Sequence, residues 1–226
     1  MLDNCKIKLQ SVFGIDDMLI RYVEANIIPQ YSQFDKAHNL GHVTKVIENS
    51  LEIATHYPVD LGLVYVVAAY HDIGLAKGRK DHEKNSAIFL KSDINLEKFF
   101  DSEDINLIAE AVEDHRASAD HEPRSIYGKI VADADNDLDY KSVFTRCLQY
   151  GLATFPEYDK LTHFERIHEH MIDKYGYGSY LKLWLDTERD KRGLQEIRDM
   201  LYNKREAMRA DFDILWEEEN PQARLF

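Results

Sequence analysis

Leu61-Gly62-Leu63-Val64-Tyr65-Val66-Val67-Ala68-Ala69-Tyr70-His71-Asp72-Ile73-Gly74 is the stretch on which the reading of this chain turns. Its first ten residues are almost wholly apolar, and Pro58 and Asp60 mark a start just ahead of them. That pattern predicts a buried helix over Leu61–Tyr70. The helix then delivers a histidine and an aspartate side by side at its C-terminal edge. Burying two such groups is costly unless something pairs with them. A divalent metal suits imidazole nitrogen and carboxylate oxygen alike. The plainer alternative is that His71 ends the helix and Asp72 starts a turn, and the pair alone leaves both open.

Outward from this stretch, apolar positions recur mostly at three- and four-residue spacing rather than in alternation. Met18, Leu19, Tyr22, Val23, Ile27 and Ile28 form one stripe, and Val43, Val46, Ile47, Leu51, Ile53 and Ala54 the next. Short helices are expected over Asp81–Leu90, from Ser102 through Val112, and over Ser125–Ala134. Further helices are expected near Lys141–Tyr150, Asp159–Tyr175 and Ser179–Glu218, the last long enough to break, with Gly193 the expected point. The 226 residues include ten glycines and five prolines, with no Gly/Ser or Pro linker, repeat or low-complexity tract. An all-α protein is expected.

Charge narrows the partners. With 41 acidic and 28 basic residues the formal net charge is −13, which argues against a nucleic-acid polymer or an anionic membrane surface. A small phosphorylated substrate stays compatible, because a bound metal reverses the local field. Cys5 and Cys147 make no CxxC pair and suggest no disulfide framework. The first residues lack the apolar core of a secretory signal, and no run approaches the roughly 18 apolar residues of a membrane span. A soluble, cytoplasmic protein is the expectation.

Histidines and acids then fall repeatedly at helix edges. His42 opens one helix, His71 and Asp72 close the next, His82 stands at the front of another, and His115 ends the one after. Asp133 and Asp135 follow in Ile130-Val131-Ala132-Asp133-Ala134-Asp135. Antiparallel packing can gather such groups at one end of a bundle, where facing helices build metal sites. Taken singly, each has a plainer reading: His42 as a cap, the aspartates as a solvated edge.

That order and its wording resemble the HD superfamily of metal-dependent phosphohydrolases. The matching pieces are His42-Val43 with Val46 following, His71-Asp72-Ile73-Gly74, and Ala132-Asp133-Ala134-Asp135. Ala37-His38-Asn39-Leu40-Gly41-His42-Val43 looks like the opening of a small group of bacterial HD hydrolases. The resemblance covers about Asp35 to Leu138 and is weak beyond Lys141. It implies an HD-domain helical bundle over residues 1–140, carrying the metal site. A C-terminal helical extension, 141–226, would pack on that core as one compact unit.

The resemblance also implies a site. His42, His71, Asp72 and Asp135 would hold the main metal. Asp135 is chosen over Asp133 because the family's last ligand precedes a basic-then-apolar pair; here Asn136-Asp137 stands in that place, which keeps Asp133 as the alternative. His82 and His115 match the extra histidines of binuclear members, or else face a one-metal site and touch the substrate phosphate. Asp72 would ligate the ion, orient the attacking water and bridge both ions in a two-metal site. Lys77, Arg79, Lys80 and Arg116 supply cations nearby, with Lys77 and Arg116 chosen to meet a phosphate. His38 either shapes the pocket entrance or caps a helix. His163, His168 and His170 lie among Phe164, Ile167 and Met171, as ordinary amphipathic packing, and receive no role.

The implied activity is hydrolysis of a phosphate ester of a nucleotide or another small phosphorylated metabolite by metal-activated water. One or two ions of Mn, Fe, Co, Ni or Mg would serve, and a homodimer stays open. Two alternatives are an HD-fold di-iron oxygenase and a non-catalytic sensor of metal or nucleotide.

Overall fold

The helices of this chain begin where a short polar side chain catches the first free backbone N–H groups. Asp60 does this for Gly62 and Leu63, at 2.7 and 3.2 Å, and Asp16, Asn39, Asp101, Ser125, Asp139, Asp159 and Thr187 do it elsewhere. Part of the acidic excess is thus helix capping. The computed structural model describes residues 13–35, 37–116 and 121–220; Cys5 lies outside them. Among the described residues there are α-helices and short 3-10 turns and no strand.

The chain divides into two compact units, Met1–Asn136 with Leu183–Leu185, and Asp137–Lys182 with Asp186–Phe226. The first contains α1 (Asp17–Asn26), α2 (Leu40–Ala54), α3 (Leu61–Tyr70), α4 (His82–Ser92), α5 (Ser102–Glu113) and α6 (Ile126–Asp135). Its axis is α3, whose residues from Leu63 to Tyr70 are all buried. Helices α2, α5 and α6 pack around it, while α4 packs on α5 and on the 3-10 turn Ile73–Lys77. Each fully buried Val, Leu or Ile contributes roughly 1.5–3 kcal/mol, which helps offset the placement of His71 and Asp72 at the buried end of α3.

The second unit contains α7 (Tyr140–Thr154), α8 (Lys160–Tyr175), α9 (Glu188–Tyr202) and α10 (Arg205–Glu219). Phe144, Phe164, Ile167, Phe212 and Trp216 are buried in it. The single helix expected over Ser179–Glu218 is corrected here: Ser179–Thr187 is not helical, and the chain breaks at Asn203-Lys204. Gly193, the expected break, lies inside α9. A Cβ there would come within 2.6 Å of the Leu138 carbonyl oxygen, so this glycine serves close packing and not a turn. Among the described residues, no helix is long and apolar enough to cross a membrane.

Candidate metal centre

Three histidines of the first unit are fixed by one local device. His71 Nδ1 lies 2.7 Å from the Ala68 carbonyl, His115 Nδ1 2.7 Å from that of Val112, and His82 Nδ1 3.1 Å from that of Arg79. In each case the partner is the carbonyl three residues earlier. A carbonyl only accepts, so Nδ1 carries a proton and Nε2 is turned to the cluster, where it donates to a carboxylate when the ring is charged and presents a lone pair when it is neutral. His42 arrives separately, in the first turn of α2, where Asn39 Oδ1 accepts from the Gly41 and His42 N–H groups.

The Nε2 atoms converge on Asp72. Its Oδ2 lies 3.4 Å from His42 Nε2 and 3.2 Å from His71 Nε2. Its Oδ1 lies 3.2 Å from His82 Nε2 and 3.5 Å from His115 Nε2. Asp135 Oδ1 completes the first set, 3.3 Å from His42 and 3.8 Å from His71. His42 and His71 Nε2 stand only 3.1 Å apart, a spacing that asks for a proton or a cation between them. Two donor groups therefore share one carboxylate: His42, His71 and Asp72, and Asp72, His82 and His115. Exposure divides the same cluster. The side chains of His71, His115 and Asp72 are 0, 2 and 4% exposed, those of His42, His82 and Asp135 12, 14 and 25%. The site has a dry floor and a wet edge.

The electrostatics match a cation site. Burial pushes the Asp72 carboxyl up, but the His71 charge and hydrogen bonds from His115, His42 and His71 outweigh it and hold the group well below the usual carboxylate range. Asp135 follows the same balance, with His42 as its main partner. Burial lowers the His42 imidazole, yet hydrogen bonds to Asp135 and Asp72 and their charges lift it to about 9. The two carboxylates thus stay ionised and hold a proton on His42, where a divalent ion would displace it. Nitrogen and oxygen donors in this mixture suit divalent metals, so the residues present fit one.

Gly74 is what lets α4 reach the cluster. A Cβ there would fall 2.2 Å from the His82 carbonyl oxygen and 2.5 Å from Ser86 N, and Gly74 N–H donates to Ser86 Oγ at 2.8 Å. The bare backbone seats the first turn of α4 against the 3-10 turn, and His82 rides on it.

The other expected site residues have partners or exposures of their own. Asp133 is buried and accepts hydrogen bonds from Trp184 and Leu185 N–H at 2.7 to 3.0 Å. Lys77 is exposed at the end of the 3-10 turn. Arg116, half exposed, is 3.5 Å from Glu83 Oε2. Arg79 meets Asp35 at 3.3 Å, and Lys80 is exposed. His38 does not cap α2, a place held by Asn39; its Nδ1 is 2.7 Å from Asp35 and its ring meets that of His42 edge-on.

Three neighbours escaped the sequence. Tyr31 is buried, donating to Ala69 O at 2.9 Å and accepting from Asp72 N–H at 3.2 Å. Glu83 Oε2 lies 3.4 Å from His82 Nδ1. Asp114, buried beside His115, takes the Arg124 backbone N–H and guanidinium at 2.7 to 3.1 Å. Only the last two carry a signal in the sequence, as acids adjacent to a proposed ligand.

Residues 39–138 match the family model of the HD domain, a span that holds His42, His71, Asp72, His82, His115 and Asp135. No curated protein matches the chain. Among solved structures, a predicted HD superfamily hydrolase from an uncultured Thermotogales bacterium is similar, with 22% identity and a TM-score of 0.46. The likeness covers 66% of this chain and 83% of that one.

Proposed function

Residues 39–138 match the HD domain, and on that premise we propose that the chain is a metal-dependent phosphohydrolase of the HD superfamily. The substrate is a phosphate ester of a nucleotide or another small phosphorylated metabolite. His42, His71, Asp72 and Asp135 would hold one divalent ion, and Asp72, His82 and His115 a second. The observation that carries this reading is the Asp72 carboxylate, which turns one oxygen to each pair of histidines. Divalent ions there would supply an activated water and polarise a phosphoryl oxygen.

The chain's own residues do the rest. Asp72 sits between the two donor groups and is placed to orient the attacking water. The buried floor of His71 and His115 keeps bulk water off one side, so a substrate approaches over His42, His82 and Asp135. Lys77 and Arg116 are the cations proposed to meet its phosphate, which a chain of net charge −13 would otherwise repel.

The test is a panel of phosphoesters with Mn²⁺, Co²⁺ or Ni²⁺ added. Hydrolysis that needs the metal and vanishes in His71→Ala supports the proposal. A metal-loaded protein that hydrolyses nothing, or a His71→Ala protein that behaves identically, would sink it. The ion count per chain separates the versions of the site: two ions make His82 and His115 ligands, and one leaves them to the substrate. Oxygen uptake by iron-loaded protein would point instead to the di-iron oxygenase chemistry, and thermal stabilisation by nucleotide without turnover to a sensor.

A further inference from the structure

The buried hydroxyl of Tyr31 closes a gap that the site itself opens. At the end of a continuing α-helix, Asp72 N–H would donate to the carbonyl of Ala68, four residues back. That carbonyl receives the His71 imidazole instead, at 2.7 Å. The displaced Asp72 N–H goes to Tyr31 Oη at 3.2 Å, and Tyr31 returns its own proton to Ala69 O at 2.9 Å. One hydroxyl thus satisfies a donor and an acceptor at the buried terminus of α3, where leaving either unmade is costly. Tyr31 comes from another element, the 3-10 turn Ile28–Gln33, and Phe34 packs edge-on against its ring at 5.2 Å. The hydroxyl is therefore held in place from outside α3.

We propose that Tyr31 is a positioning residue for the metal centre: its hydroxyl fixes the backbone of Asp72, and so sets how tightly the shared carboxylate and His71 hold a divalent ion. The inference rests on the proposed metal site and makes no use of the hydrolytic reaction. With the Asp72 amide turned to Tyr31 Oη, the Ala68 carbonyl is left to the His71 ring in its metal-binding tautomer. Without Tyr31 Oη, the amide competes for the Ala68 carbonyl, and both the His71 ring and the Asp72 carboxylate lose their aim.

The experiment is a Co²⁺ titration of metal-free protein, read by calorimetry and by the visible absorption of the bound ion, with thermal unfolding of the same metal-free samples. Tyr31→Phe is compared with Tyr22→Phe, which removes another hydroxyl of the first unit, one that donates to Asp93 at 2.5 Å. Outer partners of metal ligands typically set affinity by 10–100-fold, so Tyr31→Phe is expected to weaken Co²⁺ binding by about tenfold or more and to alter the absorption band. Tyr22→Phe is expected to lower the unfolding temperature with Co²⁺ affinity unchanged. Should Tyr31→Phe fail to fold, 4-fluorophenylalanine at position 31, which fills the hydroxyl's volume without its proton, decides in its place. Wild-type affinity and spectrum in whichever variant folds would overturn the proposal, and so would a wild-type protein that binds no Co²⁺. A wild-type protein that binds Co²⁺ yet hydrolyses nothing would overturn the proposed function alone.

Discussion

Two groups of histidines occur in this chain, and they behave in opposite ways. In the first unit His71, His82 and His115 tie Nδ1 to the carbonyl three residues back and turn Nε2 toward Asp72. In α8, His163 is buried against the rings of Tyr158 and Trp216, His168 lies between the Leu201 carbonyl and Arg205, and His170 is exposed. The charges around them differ in sign. Carboxylates lift His42 to about 9, whereas burial and then the Arg166 guanidinium push His163 down. Counting histidines does not find a metal site. What sets the first group apart is the orienting bond on the far nitrogen and a carboxylate on the near side.

The sharpest way to break that comparison is Asp72→Ala. It removes the oxygen shared by both donor groups, so metal content measured by mass spectrometry should fall to background. The loss of affinity should exceed the roughly hundredfold upper end for an outer partner. Retention of metal would mean that the convergence around Asp72 has no consequence.

Gly74→Ala comes next. Its new methyl would press on the backbone of α4, and overpacking of this kind costs about 1–3 kcal/mol, occasionally more. The unfolding temperature should drop, and the ion proposed for His82 and His115 should be lost first. An unchanged ion count would show that α4 can shift without carrying His82 out of reach.

His163→Phe probes the other side. Because the folded protein holds this imidazole below its ordinary value of about 6.5, the unfolded chain binds a proton there that the folded chain refuses. Stability should therefore decline as pH falls from 7 toward 5, and the substitution should flatten part of that decline. Unfolding temperatures across the range check it, with metal content unaltered. A loss of metal in this variant would erase the distinction between the two groups.

The smallest effect is expected from Tyr22→Phe. Tyr22 and Tyr70 both donate to Asp93, and although burial raises that carboxyl, their hydrogen bonds hold it below the usual range. Losing one bond should cost about 1 kcal/mol, or about 2–4 °C in a chain of this size. The contribution is present above the ordinary aspartate range near pH 4 and fades below it, so wild type and variant should converge in acid. A gap that persists at pH 3 would assign the cost to packing instead.

Much of this was legible because it is local. An apolar run behind Asp60 fixes α3 to the residue, and the placement of His42, His71, His82 and His115 at helix edges follows from the same periodicity. The end of the chain is less legible, since amphipathic spacing runs on through Ser179–Glu218 and the closeness of Gly193 to Leu138 is a matter of tertiary contact. Asp133 and Asp135 look alike in sequence, yet two residues on a helix turn about 200°. One faces the histidines, and the other faces Trp184 and Leu185. Tyr31 left no trace, because its partners lie about forty residues away.

The buried Asp133 carboxylate has a bearing on how this protein is made. Its N–H donors at Trp184 and Leu185 belong to a short segment that joins the first unit from far along the chain. Every proposed metal donor has been translated by Asp135, but the helix that carries Asp135 lacks those two donors until residue 185 has been added and has emerged. A fragment trimmed to the HD domain alone keeps all six donor residues and loses the anchor two positions from the last of them. Synthesis of the proposed metal centre therefore ends some fifty residues after the last of its proposed ligands is translated.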